Sequence, residues 1–164
     1  MTQNTYFGYL EPGAHIGVSG SRFAPADDAR NSLRFCIEQL AALGAHYLHQ
    51  GCCTGWDELA VTLARKAGMR VVGHPPVKTA YLSEQAVKES DVLWPSKSYR
   101  ARNMDIAWET AVLVTGPQYP EDHSESARSG TWMTTRFARL YNSRVYACWN
   151  DGNIEDVTKR TEIR

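Results

Sequence analysis

Short apolar runs alternate along this chain with longer stretches in which apolar residues recur every three or four positions. The runs at 14–19, 46–50, 70–73, 111–115 and 144–149 read as buried strands, and Asp91-Val92-Leu93-Trp94 as a weaker one. Between the first two runs, Leu33, Ile37, Leu40 and Ala41 form a helical stripe, opened by Pro25, Asp27 and Asp28 and stopped by Gly44. Leu59, Ala60, Leu63, Ala64 and Ala67 form a second stripe that ends at Gly68. Met104 and Trp108, four apart, place a helix over 102–108, and Met133, Phe137, Leu140 and Tyr141 place the last one. Strands that alternate with helices predict an α/β fold, a doubly wound and mainly parallel sheet with helices on both faces. The expected organisation is an irregular arm at 1–13, one domain at 14–149 and a charged, peripheral tail at 150–164.

Three of the strand-to-helix junctions are built from small residues. Ser19-Gly20-Ser21-Arg22 follows the first strand, Gly51-Cys52-Cys53-Thr54-Gly55-Trp56-Asp57 the second, and Ser129-Gly130-Thr131-Trp132-Met133-Thr134 opens the last helix. Unpaired N–H groups at a helix start, together with the helix dipole, favour an anion. The three turns should therefore share one edge of the sheet and hold a phosphorylated ligand. Each residue also has a plainer reading. Gly20 eases a turn, Asp57 either caps its helix or meets a ribose hydroxyl, and Arg102 either pairs with Asp105 or reaches a phosphate. Trp132 is a core residue by default, but its place after Gly130-Thr131 suits stacking on a base. Residues 118–128 form a polar loop with Glu121, Asp122, His123 and Glu125, either a solvated connection or a lid over the site.

Composition narrows the partners. Formal charge is zero, with 18 basic and 18 acidic residues, so long nucleic acid held by phosphate neutralisation is not expected. The opening Met1-Thr2-Gln3-Asn4-Thr5 is neither basic nor apolar, so no leader is expected, no run is long enough to span a membrane, and the expected compartment is the cytoplasm. Cys36 and Cys148 fall in core patterns, and adjacent Cys52 and Cys53 match no common zinc spacing, so neither a metal nor a resident cofactor is expected. Tryptophans spread over several elements, and an aromatic arm at Tyr6 to Tyr9, suggest a homo-oligomer.

Taken in order, Ile16-Gly17-Val18-Ser19-Gly20-Ser21-Arg22, Gln50-Gly51-Cys52-Cys53-Thr54-Gly55-Trp56-Asp57, Arg102-Asn103 and Ser129-Gly130-Thr131 resemble the SLOG superfamily. That Rossmann-like group includes the DNA-processing protein A family, the LOG phosphoribohydrolases and nucleotide-sensing domains of bacterial defence systems. The resemblance spans roughly 14–149 and implies a Rossmann-like sheet with a nucleotide-type ligand above its carboxyl edge. It assigns ligand contacts to Ser19, Gly20, Ser21, Arg22, Gly51, Thr54, Gly55, Asp57, Arg102, Asn103, Ser129, Gly130, Thr131, Trp132 and Thr134.

One departure bears on chemistry. LOG enzymes use an arginine and a glutamate of a Gly-Gly-x-Gly-Thr-x-x-Glu motif, but here Arg128-Ser129 precedes Gly130-Thr131 without the glycine pair, and Thr134 occupies the glutamate position. Threonine hydrogen-bonds but supplies no carboxylate. The expectation is a protein that senses or sequesters a nucleotide or a derived signalling ligand, such as an ADP-ribose derivative. An N-glycosidic hydrolase or transferase is the alternative, with Arg102 and a relocated carboxylate, Glu109 or Glu121, as its catalytic candidates. A third reading is single-stranded nucleic-acid binding, as in DNA-processing protein A.

Overall fold

The computed structural model describes residues 6–160. The expectations for residues 1–5 of the arm and 161–164 of the tail lie outside them. Seven strands form one sheet: β1 (His15–Gly20), β2 (Tyr47–Gln50), β3 (Arg70–Gly73), β4 (Val92–Leu93), β5 (Val112–Gly116), β6 (Arg144–Cys148) and β7 (Ile154–Asp156). Five α-helices pack on it: α1 (Asp27–Ala42), α2 (Trp56–Lys66), α3 (Glu84–Lys88), α4 (Tyr99–Glu109) and α5 (Gly130–Leu140). The spatial order is β4-β3-β2-β1-β5-β6-β7, and every pairing is parallel except β6 with β7. From β1 the chain winds outward through β2, β3 and β4, and then returns to the other side of β1 with β5. That reversal makes the carboxyl ends of β1 and β5 the switch point of the sheet, where open α/β folds form their crevice.

The local chemistry accounts for the elements. Asp27 and Asp28 stand in the first turn of α1, where the dipole favours them, and its buried face is Ala29, Ser32, Leu33, Cys36, Ile37 and Leu40. Ser98 caps α4 by accepting the Ala101 N–H, and Ser129 caps α5 by accepting that of Trp132. In the centre of the sheet β5 is buried along its whole length. Gly20 and Gly116 are register partners across β1 and β5, and the Trp56 indole lies against both. A Cβ on Gly116 would sit 2.6 Å from that ring, and one on Gly20 would also collide with it. Gly116→Ala should therefore cost about 1–3 kcal/mol by overpacking, read as a lower calorimetric melting temperature.

The described parts of the arm and of the tail both pack on the domain. The arm is lashed to the domain, since Phe7 and Leu10 are buried in the main core and Arg144 donates to the carbonyls of Phe7 and Tyr9. The segment after Asn150, expected to be peripheral, returns as β7 beside β6, and Val157 is buried in the second core cluster. Ile154 and Val157, three apart, carry this, Ile154 against the main core and Val157 in the second cluster, a pattern too short to stand out among the surrounding charges. The last helix differs in facing. Its buried side is Thr131, Trp132, Thr134, Thr135 and Ala138, and the stripe that marked it as helical is only partly covered, with Phe137 and Tyr141 half-buried against the second core cluster and Leu140 71% exposed. Threonine suits the inner side because each hydroxyl donates within its own helix, Thr134 to Gly130 O at 2.8 Å and Thr135 to Thr131 O at 2.9 Å.

Three imidazoles cross the sheet as a ladder. His15 Nδ1 lies 2.7 Å from His49 Nε2, and His49 Nδ1 lies 2.8 Å from His74 Nε2. His49 and His74 are buried, and Tyr47 stacks on His15 at the outer end. Burial, with the neighbouring imidazoles second, lowers the pKa of His49 to about 3, and burial lowers that of His74 to about 4 against the pull of Asp105.

Candidate functional site

A cavity of about 520 Å³ opens at the switch point. One wall is the β1–α1 turn, Ser19 to Phe23, and beneath it lie Gly51, Cys53 and Asp57 of the β2–α2 turn. Tyr99, Arg102, Asn103 and Ile106 of α4 line a second side, and Tyr81 joins the rim. The β5–α5 segment closes the third with Gln118, Tyr119, Glu125, Ser126 and Arg128, followed by Ser129, Gly130, Thr131 and Met133. The three small-residue turns thus meet at one edge of the sheet.

The residues within them differ in what they are free to do. Gly130 and Thr131 open α5 on the cavity wall, where first-turn N–H groups lack intrahelical acceptors. A Cβ on Gly130 would meet nothing closer than 3.8 Å, so glycine here keeps a surface open rather than relieving a clash. Ser21 Oγ accepts the Phe23 N–H at 3.1 Å and shapes the first turn. The Arg22 guanidinium lies 4.0 Å over the centre of the Tyr81 ring and 5.2 Å from that of Phe23. Neither Arg22 nor Arg128 forms an ion pair with any described residue.

Arg102 is committed differently. Its Nη1 donates to the carbonyls of Gly51 and His74, and its Nε donates to Asn103 Oδ1 at 2.7 Å. A Cβ on Gly51 would overlap the guanidinium, so this close approach of backbone to side chain requires glycine. Arg102 is thus a brace for the second turn that also borders the cavity. Asp105 is no partner of it, because Asp105 pairs with Lys97 at 2.6 Å. Asp57 is buried behind the turn and accepts the Cys53 N–H at 3.1 Å. Burial pushes its pKa up to about 6, opposed by Arg102 and by backbone N–H groups. The same turn holds Cys52 at a left-handed φ of 57°, with its N–H on Gln50 Oε1 at 2.6 Å. Burial raises both thiols, that of Cys52 to about 11.

Four assigned contacts lie off the cavity. Trp132 is buried and donates its indole N–H to Tyr119 O at 2.9 Å, so here it packs within the protein rather than on the cavity wall. Thr134 is fully buried. Thr54 donates its hydroxyl to Arg22 O, and Gly55 precedes α2 at a φ of 82°. Both organise the turns from behind. The relocated carboxylates are also corrected: Glu109 ends α4 away from the cavity, and both Glu121 oxygens accept from Arg139 Nη1 at 2.9 Å. Glu121 is an anchor for the 118–128 segment, which carries a turn of 3-10 helix at Ser124–Arg128 and lines the cavity through Glu125, Ser126 and Arg128.

Sequence reasoning passed over Phe23, Tyr81, Tyr99 and Tyr119, met Glu125 only as part of the polar loop, and met Arg128 only as a departure from a glycine motif. Tyr81 and Tyr99 flank a stretch without clear periodicity, so nothing local marked them. Among the described residues no cluster of His, Cys, Asp and Glu is arranged to hold a metal, and no helix is long and apolar enough to cross a membrane.

Comparison with solved structures establishes the class of fold. The molybdenum cofactor binding protein of the phototrophic bacterium Rippkaea orientalis matches with a TM-score of 0.62 at 22% identity, over 85% of this chain and 78% of that one. The Moco carrier protein of Chlamydomonas reinhardtii matches with a TM-score of 0.60 at 23% identity, over 82% of this chain and 75% of that one. DNA processing protein A of Streptococcus pneumoniae gives 0.62 at 19% identity, over 82% of this chain but only 50% of that one. No family model and no curated protein matches the sequence. The fold is a Rossmann-like α/β sheet of the kind these solved structures share.

Proposed function

We propose that this chain binds a phosphorylated small molecule of nucleotide type at the β1/β5 crevice, as a sensor or sequestering protein. The observation that carries the proposal is the set of three arginines, Arg22, Arg102 and Arg128, around one cavity whose wall includes the first turn of α5. None of the three forms an ion pair with a described carboxylate, and Arg22 and Arg128 are also free of the backbone contacts that hold Arg102. An arginine fork and first-turn N–H groups suit a phosphate, and Tyr81 and Tyr99 offer ring faces for a planar base. With Thr134 buried and Glu109 and Glu121 off the cavity, the carboxyl groups beside the ligand are Asp57 and Glu125. An N-glycosidic activity would have to use one of those two.

A second reading, the molybdenum cofactor, draws support from the same aromatic rim and from two similar proteins that bind or carry it. That cofactor also carries a phosphate, so the two readings share the arginines. The test is to denature freshly purified protein and identify the released small molecules by mass spectrometry, with molybdenum assayed in parallel. Calorimetric titration with AMP and ADP-ribose follows. Arg128→Ala should weaken the binding of the retained ligand by about 1.5–3 kcal/mol, the range for hydrogen bonds to a charged group. A protein that retains no phosphorylated molecule and titrates with none would refute the proposal.

A further inference from the structure

Two buried thiols that the cavity does not use face each other on the side of the sheet away from α4 and α5. Cys36 of α1 and Cys148 of β6 belong to the main core cluster, and their sulfurs lie 3.8 Å apart although 112 positions separate them in the chain. Adjacent Cys52 and Cys53 turn their sulfurs to other partners. Gln50 Nε2 donates to Cys52 Sγ at 3.5 Å, and the Cys53 thiol donates to Gly51 O at 3.6 Å. The aromatic arm lies beside the first pair. Tyr6 and Phe7 meet Tyr146 at 6.0 and 4.7 Å between centroids, and Tyr6 meets Phe35, the neighbour of Cys36, at 6.2 Å. Burial first, and Cys36 next, raise the Tyr6 phenol above its ordinary value, with Cys148 contributing, so both sulfurs are within electrostatic reach of the arm.

We propose that Cys36 and Cys148 are a peroxide-sensitive pair, gated by the arm, that closes to a disulfide and locks α1 to β6. A disulfide needs its sulfurs at about 2.0 Å, so the present contact leaves roughly 1.8 Å for side-chain rotation to close. The chemistry balances with hydrogen peroxide as oxidant. One sulfur, as its thiolate, attacks a peroxide oxygen; the O–O bond breaks, and the thiol's proton leaves with the departing oxygen as water. The sulfenic acid so formed is attacked by the second sulfur; the S–O bond breaks, and a second water leaves with that thiol's proton. Two thiols and one peroxide become one disulfide and two waters, and two electrons pass from sulfur to oxygen. The hydrogen bond with Cys36, and burial second, hold the Cys148 thiol far above its ordinary range, so closure should quicken as pH rises from 7 to 9. Because α1 follows closely on the Ser19 to Phe23 turn, the lock fixes the helix behind one wall of the cavity.

The full chain, reduced and then treated with hydrogen peroxide at pH 8, should lose two of its four free thiols. Alkylation and a non-reducing digest should then give one linked pair of peptides, holding Cys36 and Cys148 and lighter by two hydrogens. Closing so long a loop should raise the calorimetric melting temperature by roughly 5–10 °C. Dithiothreitol should reverse that rise, and Cys36→Ser or Cys148→Ala should abolish it. Arg144 donates to the carbonyls of Phe7 and Tyr9, so Arg144→Ala loosens the arm and should hasten closure roughly threefold or more. Four thiols that still alkylate after peroxide, a link that forms only in urea, or a link through Cys52 or Cys53 would overturn the proposal. A linked chain that melts like the reduced one would remove the lock, and a closure rate indifferent to Arg144→Ala would remove the gate; either overturns it too.

Discussion

Lowering the pH from 7 to 5 should cost this protein about 3 kcal/mol of folding stability, because two buried histidines cannot take up the protons that the unfolded chain accepts. His49 and His74 have folded pKa values of about 3 and about 4, against 6.5 in the unfolded chain. Above pH 6.5 both states are neutral at these positions and nothing depends on pH. Below it the unfolded state binds the extra protons, so stability falls until the folded values are reached. By pH 5 each histidine has forfeited about 2 kcal/mol. Asp57 works in the opposite sense. Its carboxyl is raised to about 6 by burial, so it gains a proton in the fold first and returns about 1 kcal/mol over the same range. Urea unfolding at pH 7, 6 and 5 measures the balance, and a midpoint that stays constant across that series would refute it. His49→Gln should flatten the slope, since it removes the more strongly shifted group.

Arg102→Ala should destabilise the fold by about 3–5 kcal/mol, the cost of removing one member of a buried, hydrogen-bonded polar set. Its guanidinium serves the Gly51 and His74 carbonyls, and its charge is the largest influence that holds the Asp57 carboxyl down. Removing it leaves two carbonyls short of a donor and Asp57 without its nearest cation. The loss should therefore be greater at pH 8 than at pH 5, where Asp57 is mostly protonated. Arg102→Lys keeps the charge without the fork and should recover only part of the loss. Thermal melts of the three proteins at both pH values decide the matter. If Arg102→Ala melts like the unmodified chain while losing ligand affinity, Arg102 is a ligand residue and not a brace.

The contrast between Arg102 and Arg128 shows where sequence reading succeeds and where it stops. Strand runs such as 111–115 and small-residue turns such as Ser19 to Arg22 are local patterns, and they located the sheet, its switch point and the crevice. Which atoms face the crevice is not local. Trp132 and Thr134 follow Gly130 within one helical turn, yet the helix rotation buries both and leaves Met133 on the wall. Tyr81 arrives from an irregular connection that is held to the second turn by the hydrogen bond from Thr54 N–H to Tyr81 O. The half-covered stripe of α5 has the same origin: periodicity reports that a helix exists, but the side it buries is chosen by its neighbours. Threonine under a helix reads as polar surface until its hydroxyl is seen bonding back to the preceding turn.

The histidine ladder also has a directional property. A neutral His49 carries a single ring proton, but both of its nitrogens are within hydrogen-bond distance of another imidazole. With that proton on Nδ1, His49 donates to His74 and must accept from His15. With it on Nε2, His49 donates to His15 and must accept from His74. One tautomer therefore sets the other two, and the three rings form a polarised row with a single sense across β1, β2 and the end of β3. His74 Nδ1, buried without a partner, is where that sense becomes visible. It carries a hydrogen in the first arrangement and a bare lone pair in the second. Nitrogen-15 shifts of these three rings would show which way the row points, and whether the sense reverses when the crevice behind Arg102 is filled.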